Sequence, residues 1–596
     1  MERNGDDGLV GGIHPQSHAE FDGQPSALTS TFFLDHVGQV VLTFNSDGLS
    51  WNSVDSFTND ESSCLGIKLA SKFATEIKFS DVYAVELINE GLVHESNIPN
   101  ARRCLAAQDD EMYRFSVHGF QRSKTQPSLW VLAVYTFGHK DLQTCQMWVN
   151  QTNAVLNLEL GRPRNLLVFV HPRSGKGNGS RIWETVAPIF SRAKVRTKVT
   201  VTQRAGQAFQ VMASTSNKEL YSYDGVVVVG GDGFFNEILN GFLSSRHKAP
   251  YPPSPADIVH SADGNGSFLI HHGSGGTVSN PPNQNEDQSP LLSSPGQQNG
   301  SGFSNFRAED GSCNSDQDRE FPFPEEHFRL GIIPAGSTDA IVMCTTGTRD
   351  PVTSALHIVL GKRVRLDVAQ VVRWKTTSSA KVEPCVRYAA SFAGNKVFLR
   401  HRSYEAEVAY LEAKSEETNS SSERGNMGSQ IRGLRIPNKF ERAVCRVNCT
   451  VCNKKQSHVS TGSPCRRPYS HPERARWLRS KGRFLSIGAA VISCRNERAP
   501  DGLVADAHLS DGFLNLILIK ECPHALYLWH LTQLARRGGT PLNFNFVEHH
   551  KTTAFTFTSF GSESVWNLDG ELFQAHQLSA QVFRGLVSLF ASGPEV

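Results

Sequence analysis

The segment VVVVGGDGFFNEILNG, residues 226–241, decides the fold class of the central part of the chain. Four consecutive valines without polar alternation are typical of a strand that is buried on both faces, as the strands of parallel α/β sheets are. After the Gly-Gly-Asp-Gly turn, apolar residues recur at helical spacing, namely Phe235, Ile238, Leu239 and Phe242. The segment therefore predicts a buried strand, a tight turn and a helix with one buried stripe.

Strands and helices alternate on both sides of this segment. Strands are predicted at 165–171, 195–202 and 328–334, and helices at 181–190 and 204–214. Such alternation predicts a parallel α/β sheet, here assigned to a domain at residues 161–362. The polar stretch 246–325, rich in Pro, Gly, Ser, Asn and Gln, predicts a disordered insertion within that domain.

The chain before the α/β domain has the pattern of a small antiparallel module. Residues 1–30 are polar and predicted to be disordered, and strands are predicted at 38–44, 66–72, 81–88, 113–120 and 130–137. An amphipathic helix carrying Trp148 is predicted to close the module. This order of elements resembles a pleckstrin-homology module over residues 31–160, and another small β barrel stays an alternative.

The chain after the α/β domain predicts a second, β-rich domain at residues 363–596. Its predicted strands lie at 363–374, 405–413, 484–493, 514–520, 545–559 and 578–591, and the polar tract 414–430 is predicted to be disordered.

Composition excludes several classes of protein. Sixty Lys and Arg against 58 Asp and Glu give a net charge of +2, which does not favour a nucleic-acid partner. No apolar run is long enough to span a membrane, and the N-terminal residues lack a signal pattern, so a cytoplasmic protein is predicted.

Three glycine-containing turns follow predicted strands in the α/β domain, at 171–180, 230–233 and 334–339. Open α/β sheets bind ligands at the carboxyl ends of their strands, where backbone amides can approach phosphate oxygens. The first turn is not a P-loop, because Val170 and Gly177 stand where its glycine and hydroxyl residue are required. Asp232 is either the cap of the following helix or a general base for phosphoryl transfer.

Together with Asp569-Gly570-Glu571, these turns resemble the diacylglycerol-kinase catalytic domain of lipid kinases. Within that family, three features resemble the ceramide kinases: the Pro-Ala-Gly-Ser-Thr-Asp loop at 334–339, the run TSALHIVLGKRVRLDV at 353–368, and a Cys-x3-Cys-x2-Cys cluster. The resemblance implies a nucleotide-binding α/β domain, a second sandwich-like β domain, and a chain that returns to the first domain after building the second.

The resemblance also implies ATP-dependent phosphorylation of the primary hydroxyl of ceramide, with Asp232 as general base and Gly230, Gly231 and Gly233 beside the substrate. The implied cofactor is Mg²⁺, held in part by residues 569–571, with Ca²⁺ as a regulatory or substituting ion. Peripheral association with intracellular or plasma membranes through membrane lipids is expected, and a sphingoid-base or diacylglycerol kinase stays the alternative. The implied ATP-binding residues are His171, Pro172, Arg173, Ser174, Gly175, Lys176, Gly177, Thr202, Gln203, Arg204, Ala205, Gly206, Glu237, Ser337, Thr338, Asp569, Gly570 and Glu571.

One departure from the family pattern follows Gly394. The family usually carries a segment there that holds the lipid headgroup and phosphate, whereas this chain passes from Gly394 almost directly to Lys396. Loss of such contacts removes transition-state stabilisation, so a catalytically impaired, lipid-binding isoform is the second alternative. A smaller departure is Gln203, where the family often has an acidic residue.

The cysteine cluster has two interpretations. Cys445, Cys449 and Cys452, with His458 or Cys465 as fourth ligand, match the donor types of a structural zinc site. The alternative is a set of reduced or redox-sensitive cysteines on a loop with basic neighbours.

Overall fold

The computed structural model describes residues 28–54, 74–88, 112–260, 328–376, 382–395, 402–413, 444–454, 476–561 and 564–594. The described residues divide into two compact units. The first takes its residues from Met1–Ser80, Leu87–Ser116 and Tyr135–Trp148, and the second from Asp81–Glu86, Val117–Val134 and Val149–Val596. The predicted strand 66–72 and the predicted disordered tract 414–430 lie outside the described residues.

Seven antiparallel strands and one helix occupy the N-terminal part. They are β1 Leu28–Leu34, β2 Gly38–Phe44, β3 Gly48–Ser53, β4 Glu76–Lys78, β5 Val82–Ile88, β6 Tyr113–Arg122, β7 Trp130–His139 and α1 Leu142–Leu158. The sheet order is β4-β3-β2-β1-β7-β6-β5. The Phe32 ring lies 5.5 Å from the rings of both Phe115 and Trp148, which forms an aromatic core in the first unit. The predicted boundary of disorder at residue 30 is wrong, because β1 begins at Leu28 and pairs with β2 along its full length.

The α/β part of the second unit confirms the predicted alternation. Its elements are β8 Asn165–Val170, α2 Ser174–Gly177, α3 Gly179–Arg192, β9 Arg196–Val201, α4 Gln207–Ser214, α5 Asn217–Leu220, β10 Gly225–Gly230, α6 Asp232–Ser244, α7 Pro255–His260, β11 Arg329–Pro334, α8 Ala340–Thr346 and α9 Pro351–Val359. The strands β9, β8, β10 and β11 pair in parallel in that order. Every residue of β10 is buried, as the run of valines predicts.

A large set of mostly antiparallel strands completes the second unit. The elements are β12 Val364–Thr376, β13 Val382–Ala389, β14 Phe392–Asn395, β15 Tyr404–Leu411, α10 Thr450–Asn453, β16 Trp477–Ala490, β17 Leu514–Lys520, α11 His524–Ala535, β18 Val547–Thr552, β19 Ala554–Ser559, β20 Ser564–Leu568, β21 Glu571–Ala575 and β22 Gln577–Leu589. The strand β22 pairs antiparallel with β12 and β19, and its end pairs in parallel with β11. The last long strand therefore joins the β-rich part to the parallel sheet.

The start of the predicted disordered insertion at residue 246 is wrong. Residues 246–260 are described, and they end in α7. Their polar groups find partners in the fold: Arg246 donates to the carbonyl oxygen of Met212 at 3.0 Å, and Gln581 donates to that of Pro250 at 2.6 Å. These bonds, and one from Ser579 to the Pro253 carbonyl at 2.7 Å, attach the segment to α4 and β22. Among the described residues, no helix has the length and apolar composition needed to cross a membrane.

Candidate active site

The three glycine-containing turns lie at one edge of the parallel sheet. Because β10 pairs in parallel with both β8 and β11, the turns that follow these strands come together at their carboxyl ends. The turn after β10 also meets the turn between β20 and β21, since a methyl group on Gly233 would lie 3.6 Å from the carbonyl oxygen of Asp569. Four motifs that are far apart in the sequence thus share one site.

Two of these approaches require glycine. A methyl group on Gly175 would lie 2.2 Å from the carbonyl oxygen of Ala335, and Gly175 itself has a φ of 55°. A methyl group on Gly336 would lie 2.6 Å from the Cα atom of Gly231. Side chains at these positions would separate the turns, so the glycines set the width of the site.

The turn after β8 presents backbone and basic side chains. Residues Ser174–Gly177 form one helical turn in which Gly175 and Lys176 have left-handed conformations. The Ser174 hydroxyl lies 3.2 Å from Nδ1 of His171, whose ring packs 5.0 Å from that of Phe234. Lys176 is exposed, as is Arg173. The turn therefore offers two cations and several backbone amides to an anion.

The segment Thr202–Gly206 follows β9 and leads into α4. Thr202 is buried, and its hydroxyl donates to the carbonyl oxygen of Val170 at 3.3 Å. Glu237 lies on α6, but its side chain caps the N-terminus of α4. Its Oε1 accepts hydrogen bonds from the amides of Ala208 and Phe209 at 2.9 and 3.2 Å. Glu237 thus fixes the position of α4 beside α6.

Asp232 lies at the start of α6, half-buried, and its carboxylate faces the first turn of α8. Its Oδ2 accepts a hydrogen bond from the amide of Ala340 at 2.8 Å, and its Oδ1 accepts one from Ile341 at 3.0 Å. Burial, with smaller contributions from the charges of Asp339 and Asp569, raises the pKa of Asp232 to about 6, although the two amide hydrogen bonds act in the opposite direction. A carboxylate with this pKa is suited to accept a proton near neutral pH.

The turn after β11 is held by Asp339, a buried residue that sequence reasoning did not single out. Its Oδ1 accepts from the amide of Gly336 at 3.0 Å, and its Oδ2 accepts from Nε of Arg349 at 2.7 Å. Arg349 also donates to Glu497 at 3.0 Å. Ser337 and Thr338 are exposed at the tip of this turn, consistent in position with a ligand-facing loop.

Asp569 is buried and has four hydrogen-bond donors. The amides of Ala390, Ser391 and Phe392 donate to its carboxylate at 2.5, 3.0 and 2.7 Å, and the Ser391 hydroxyl donates at 2.5 Å. Desolvation raises the pKa of Asp569, and these bonds act in the opposite direction. The carboxylate therefore joins the turn after β20 to the segment between β13 and β14.

Glu571 begins β21 directly after this turn, and the described residues give its side chain no such set of donors. Burial, followed by the charges of Glu237 and Asp569, raises the pKa of Glu571 to about 7, although the charge of Arg387 acts in the opposite direction. The carboxyl groups of the site repel one another, so a cation bound among them would be favoured.

Two family models match the chain. The diacylglycerol kinase catalytic domain matches residues 165–253, and the ceramide kinase C-terminal domain matches residues 438–565. The chain is 57% identical to "Ceramide kinase" of Arabidopsis thaliana over 96% of both chains. The chain belongs to the ceramide kinase family. It is also 50% identical to "Ceramide kinase" of Oryza sativa subsp. japonica, over 95% of this chain and 99% of that one. The "Ceramide kinase" of Homo sapiens is 29% identical over 82% of this chain and 84% of the relative.

Two buried asparagines, which lie outside the apolar stripe of α6, attach this helix to the β-rich part. Asn236 donates to the carbonyl oxygen of Leu568 at 3.1 Å. Asn240 donates to the carbonyl oxygen of Tyr388 at 3.0 Å and accepts from its amide at 2.8 Å. In this member of the ceramide kinase family, the helix that begins at Asp232 is thus fixed to the turn that carries Asp569.

The cysteine cluster lies within the residues that match the ceramide kinase C-terminal domain. Cys445, Cys449 and Cys452 lie close together, and the nitrogen beside them belongs to His508. The two residues proposed from the sequence as fourth ligand, His458 and Cys465, lie outside the described residues. The spacing of the cysteines does not predict His508 as a member of the cluster, because His508 follows Cys449 by 59 residues.

Proposed function

We propose that this chain transfers the γ-phosphoryl group of ATP to the primary hydroxyl of ceramide, giving ceramide 1-phosphate and ADP. The observation that carries the proposal is 57% identity, over 96% of both chains, to a protein named ceramide kinase. The converging turns support it, because phosphoryl transfer needs anion-binding backbone, a base for the hydroxyl and a site for a divalent cation.

Asp232 is the general base in this proposal. One of its carboxylate oxygens takes the hydroxyl proton while the hydroxyl oxygen attacks the γ-phosphorus, and the bond from that phosphorus to the bridging oxygen of ADP breaks. Each oxygen of Asp232 accepts one amide hydrogen bond, which leaves a lone pair on each for the proton. The bonds to Ala340 and Ile341 would keep the carboxylate oriented during transfer.

The ATP phosphates would lie against the turn 171–177, with Arg173 and Lys176 as the basic side chains, and against Ser337 and Thr338 at the exposed tip of the third turn. The segment 202–206 and the helix that Glu237 caps would form the neighbouring wall.

Oxygen ligands at this site fit a hard cation such as Mg²⁺, which proteins usually hold with one or two carboxylates plus the phosphates. Glu571 is the carboxylate we assign to it, because Asp569 already accepts four hydrogen bonds. When bound, magnesium would neutralise charge on the phosphates. Titration of the reaction with Mg²⁺ and with Ca²⁺ tests which ion serves.

The domain assignment belongs to the same proposal. We assign residues 28–160, which include all of β1, to a pleckstrin-homology-type lipid-binding module, residues 161–362 to catalysis and residues 363–596 to the β-rich lipid-kinase domain. Seven antiparallel strands followed by a helix support the first assignment. The module would bring the enzyme to membranes, and the full chain is expected to sediment with vesicles of phosphatidylcholine that contain an anionic lipid. Equal recovery in the supernatant with and without vesicles would contradict the targeting role.

The decisive experiment is an assay of the full chain with ATP, Mg²⁺ and, in parallel, ceramide, sphingosine or diacylglycerol. We expect ceramide to give the largest kcat/KM. A larger kcat/KM with sphingosine or with diacylglycerol would contradict the ceramide assignment and would support a sphingoid-base or diacylglycerol kinase instead. No product from this chain, together with product from a variant carrying the family's segment after Gly394, would support the impaired, lipid-binding isoform.

A further inference from the structure

A compact group of sulfur and nitrogen donors lies well away in sequence from the phosphate-binding motifs. The Sγ atoms of Cys445 and Cys452 are 3.7 Å apart, and the Sγ atom of Cys449 lies 3.2 Å from Nδ1 of His508. All four donor atoms lie within 4.8 Å of one another. Cys445 and His508 are buried, and the other two cysteines are half-buried.

We propose that Cys445, Cys449, Cys452 and His508 bind one zinc ion in a closed, tetrahedral site. With Zn–S bonds of about 2.3 Å, an ideal tetrahedron places two sulfurs about 3.8 Å apart, and a sulfur and an imidazole nitrogen about 3.6 Å apart. The observed separations of 3.7 and 3.2 Å are close to these values. A disulfide needs sulfurs about 2.05 Å apart, so the two closest thiols are spaced for a shared ion.

The donor set determines which metal is expected. Three thiolates and one imidazole favour zinc over the oxygen-seeking magnesium of the phosphoryl-transfer reaction. Four protein ligands leave no open position for water or substrate, so the ion would be structural. Within the described parts of the chain, this is the one group of three or more such side chains with donor atoms this close together.

The site would attach a short segment to the fold. Three of the ligands lie in residues 444–454, around the short helix α10. The fourth ligand lies on the loop before β17. Arg584 on β22 already links this segment to the loop that carries His508. It donates to the carbonyl oxygen of Val451 at 3.0 Å and to that of Ser510 at 3.2 Å. Zinc would add a second, stronger link at the same place.

The test is the metal content of the purified full chain, measured by inductively coupled plasma mass spectrometry after expression with zinc. We expect about one zinc per chain. His508→Gln and Cys452→Ser should each reduce zinc retention at least tenfold against a competing chelator, since one ligand is lost in each. Cys385→Ser is the matched control, because Cys385 is a half-buried cysteine on β13 outside the cluster, and it should retain one zinc.

A measurement on the unaltered chain keeps the proposal falsifiable if the variants fail to fold. Cobalt exchanged into the site should give the absorption bands of tetrahedral, thiolate-bound Co²⁺. Less than one-tenth zinc per chain, absence of those bands, or full zinc retention by His508→Gln would overturn the four-ligand site. A Cys445–Cys452 disulfide in the zinc-free chain would establish the redox interpretation instead. None of these readouts depends on kinase activity, so the proposal can fail separately from the proposed function.

Discussion

Asp232 and Asp569 are two aspartates of the family motifs that lie in adjoining turns, and they differ in how many hydrogen bonds hold them. Asp569 is 5% exposed and accepts four, all from residues 390–392. Asp232 is half-buried and accepts two, both from the first turn of α8. The same residue type in the same site thus serves as structure in one turn and stays available for chemistry in the other.

The origin of the donors explains the difference. The donors to Asp569 come from three successive residues that wrap around the carboxylate, so little of its accepting capacity of about four lone pairs remains. The donors to Asp232 come from the N-terminus of a helix, which orients an anion without enclosing it. Counting the donors around a motif carboxylate therefore separates a candidate base from a structural anchor.

The largest expected effect is on turnover after Asp232→Asn. Removing a general base lowers kcat by about 10² to 10⁴, whereas one weakened amide bond at a half-buried site should cost about 1 kcal/mol of stability. Activity and chemical denaturation measure the two effects.

Asp224→Asn is the matched control for that variant. Asp224 also accepts two backbone amide bonds, from Arg164 and Asn165 at 2.6 and 2.8 Å, but it lies before β10 rather than after it. It should lose similar stability and keep its turnover. Equal turnover in Asp232→Asn and Asp224→Asn would remove Asp232 from the mechanism.

The next effect is on stability after Asp569→Asn. The Asn side chain has only one oxygen that can accept hydrogen bonds. Its NH₂ group would replace the second carboxylate oxygen and would face a hydrogen-bond donor, so at least one buried hydrogen bond is lost. We expect a decrease of about 2 to 4 kcal/mol in the free energy of unfolding. Urea denaturation measures it, with Ser391→Ala, which removes one of the four donors, expected to cost about 1 kcal/mol. A stable but inactive Asp569→Asn would instead make Asp569 a direct ligand of magnesium or phosphate.

A smaller effect is the pH dependence of kcat/KM. Burial raises the pKa of Asp232 from 3.8 to about 6, and a general base works in its ionised form. Activity should therefore approach its maximum above about pH 7, be half-maximal near pH 6 and fall about tenfold per pH unit well below it. A profile at saturating Mg²⁺ and ATP measures this, with Asp224→Asn expected to keep the same inflection. An inflection near 4 would show that Asp232 is solvated like an ordinary aspartate and would weaken the distinction from Asp569.

The parallel sheet and the positions of the turns could be predicted from the sequence because both depend on local patterns. Four valines specify a strand buried on both faces, and glycines after a strand specify a tight turn. Several strands are not predicted from the sequence, such as β13, which pairs with β12, and β21, which pairs with β20. Polar and apolar residues alternate only weakly in these strands, so their conformation depends on pairing with the neighbouring strand.

The functions of polar residues could not be predicted where the partner is distant in sequence. Asn236 bonds to a carbonyl 332 residues away, and Asn240 to one 148 residues away. On a helical wheel both lie opposite the apolar stripe, which predicts exposure, yet both are buried because backbone groups of the β-rich part satisfy them. His508 escaped notice for the same reason, since a metal ligand on a distant loop carries no local pattern.

The smallest expected effect concerns Glu571, the first residue of β21, directly after the turn that holds Asp569. Burial, followed by the charges of Glu237 and Asp569, raises its pKa from 4.5 to about 7. An acid whose folded pKa is raised contributes stability that is present below pH 4.5 and is lost as the pH rises through 7. Glu571→Gln should therefore stabilise the protein by about 1 kcal/mol at pH 8, after allowance for screening by water, and by little at pH 5.

Urea denaturation at both pH values, with and without Mg²⁺, measures this effect and tests the assignment of the metal ligand. Magnesium should stabilise the unaltered chain at pH 8, because it offsets the repulsion among the carboxylates, and should stabilise Glu571→Gln less. Glu184→Gln, on the exposed side of α3, should show neither effect. If magnesium stabilised Glu571→Gln as strongly as the unaltered chain, Glu571 would not be its ligand. Asp232 would then be the one carboxylate left to contrast with Asp569, whose oxygens are occupied by four hydrogen bonds.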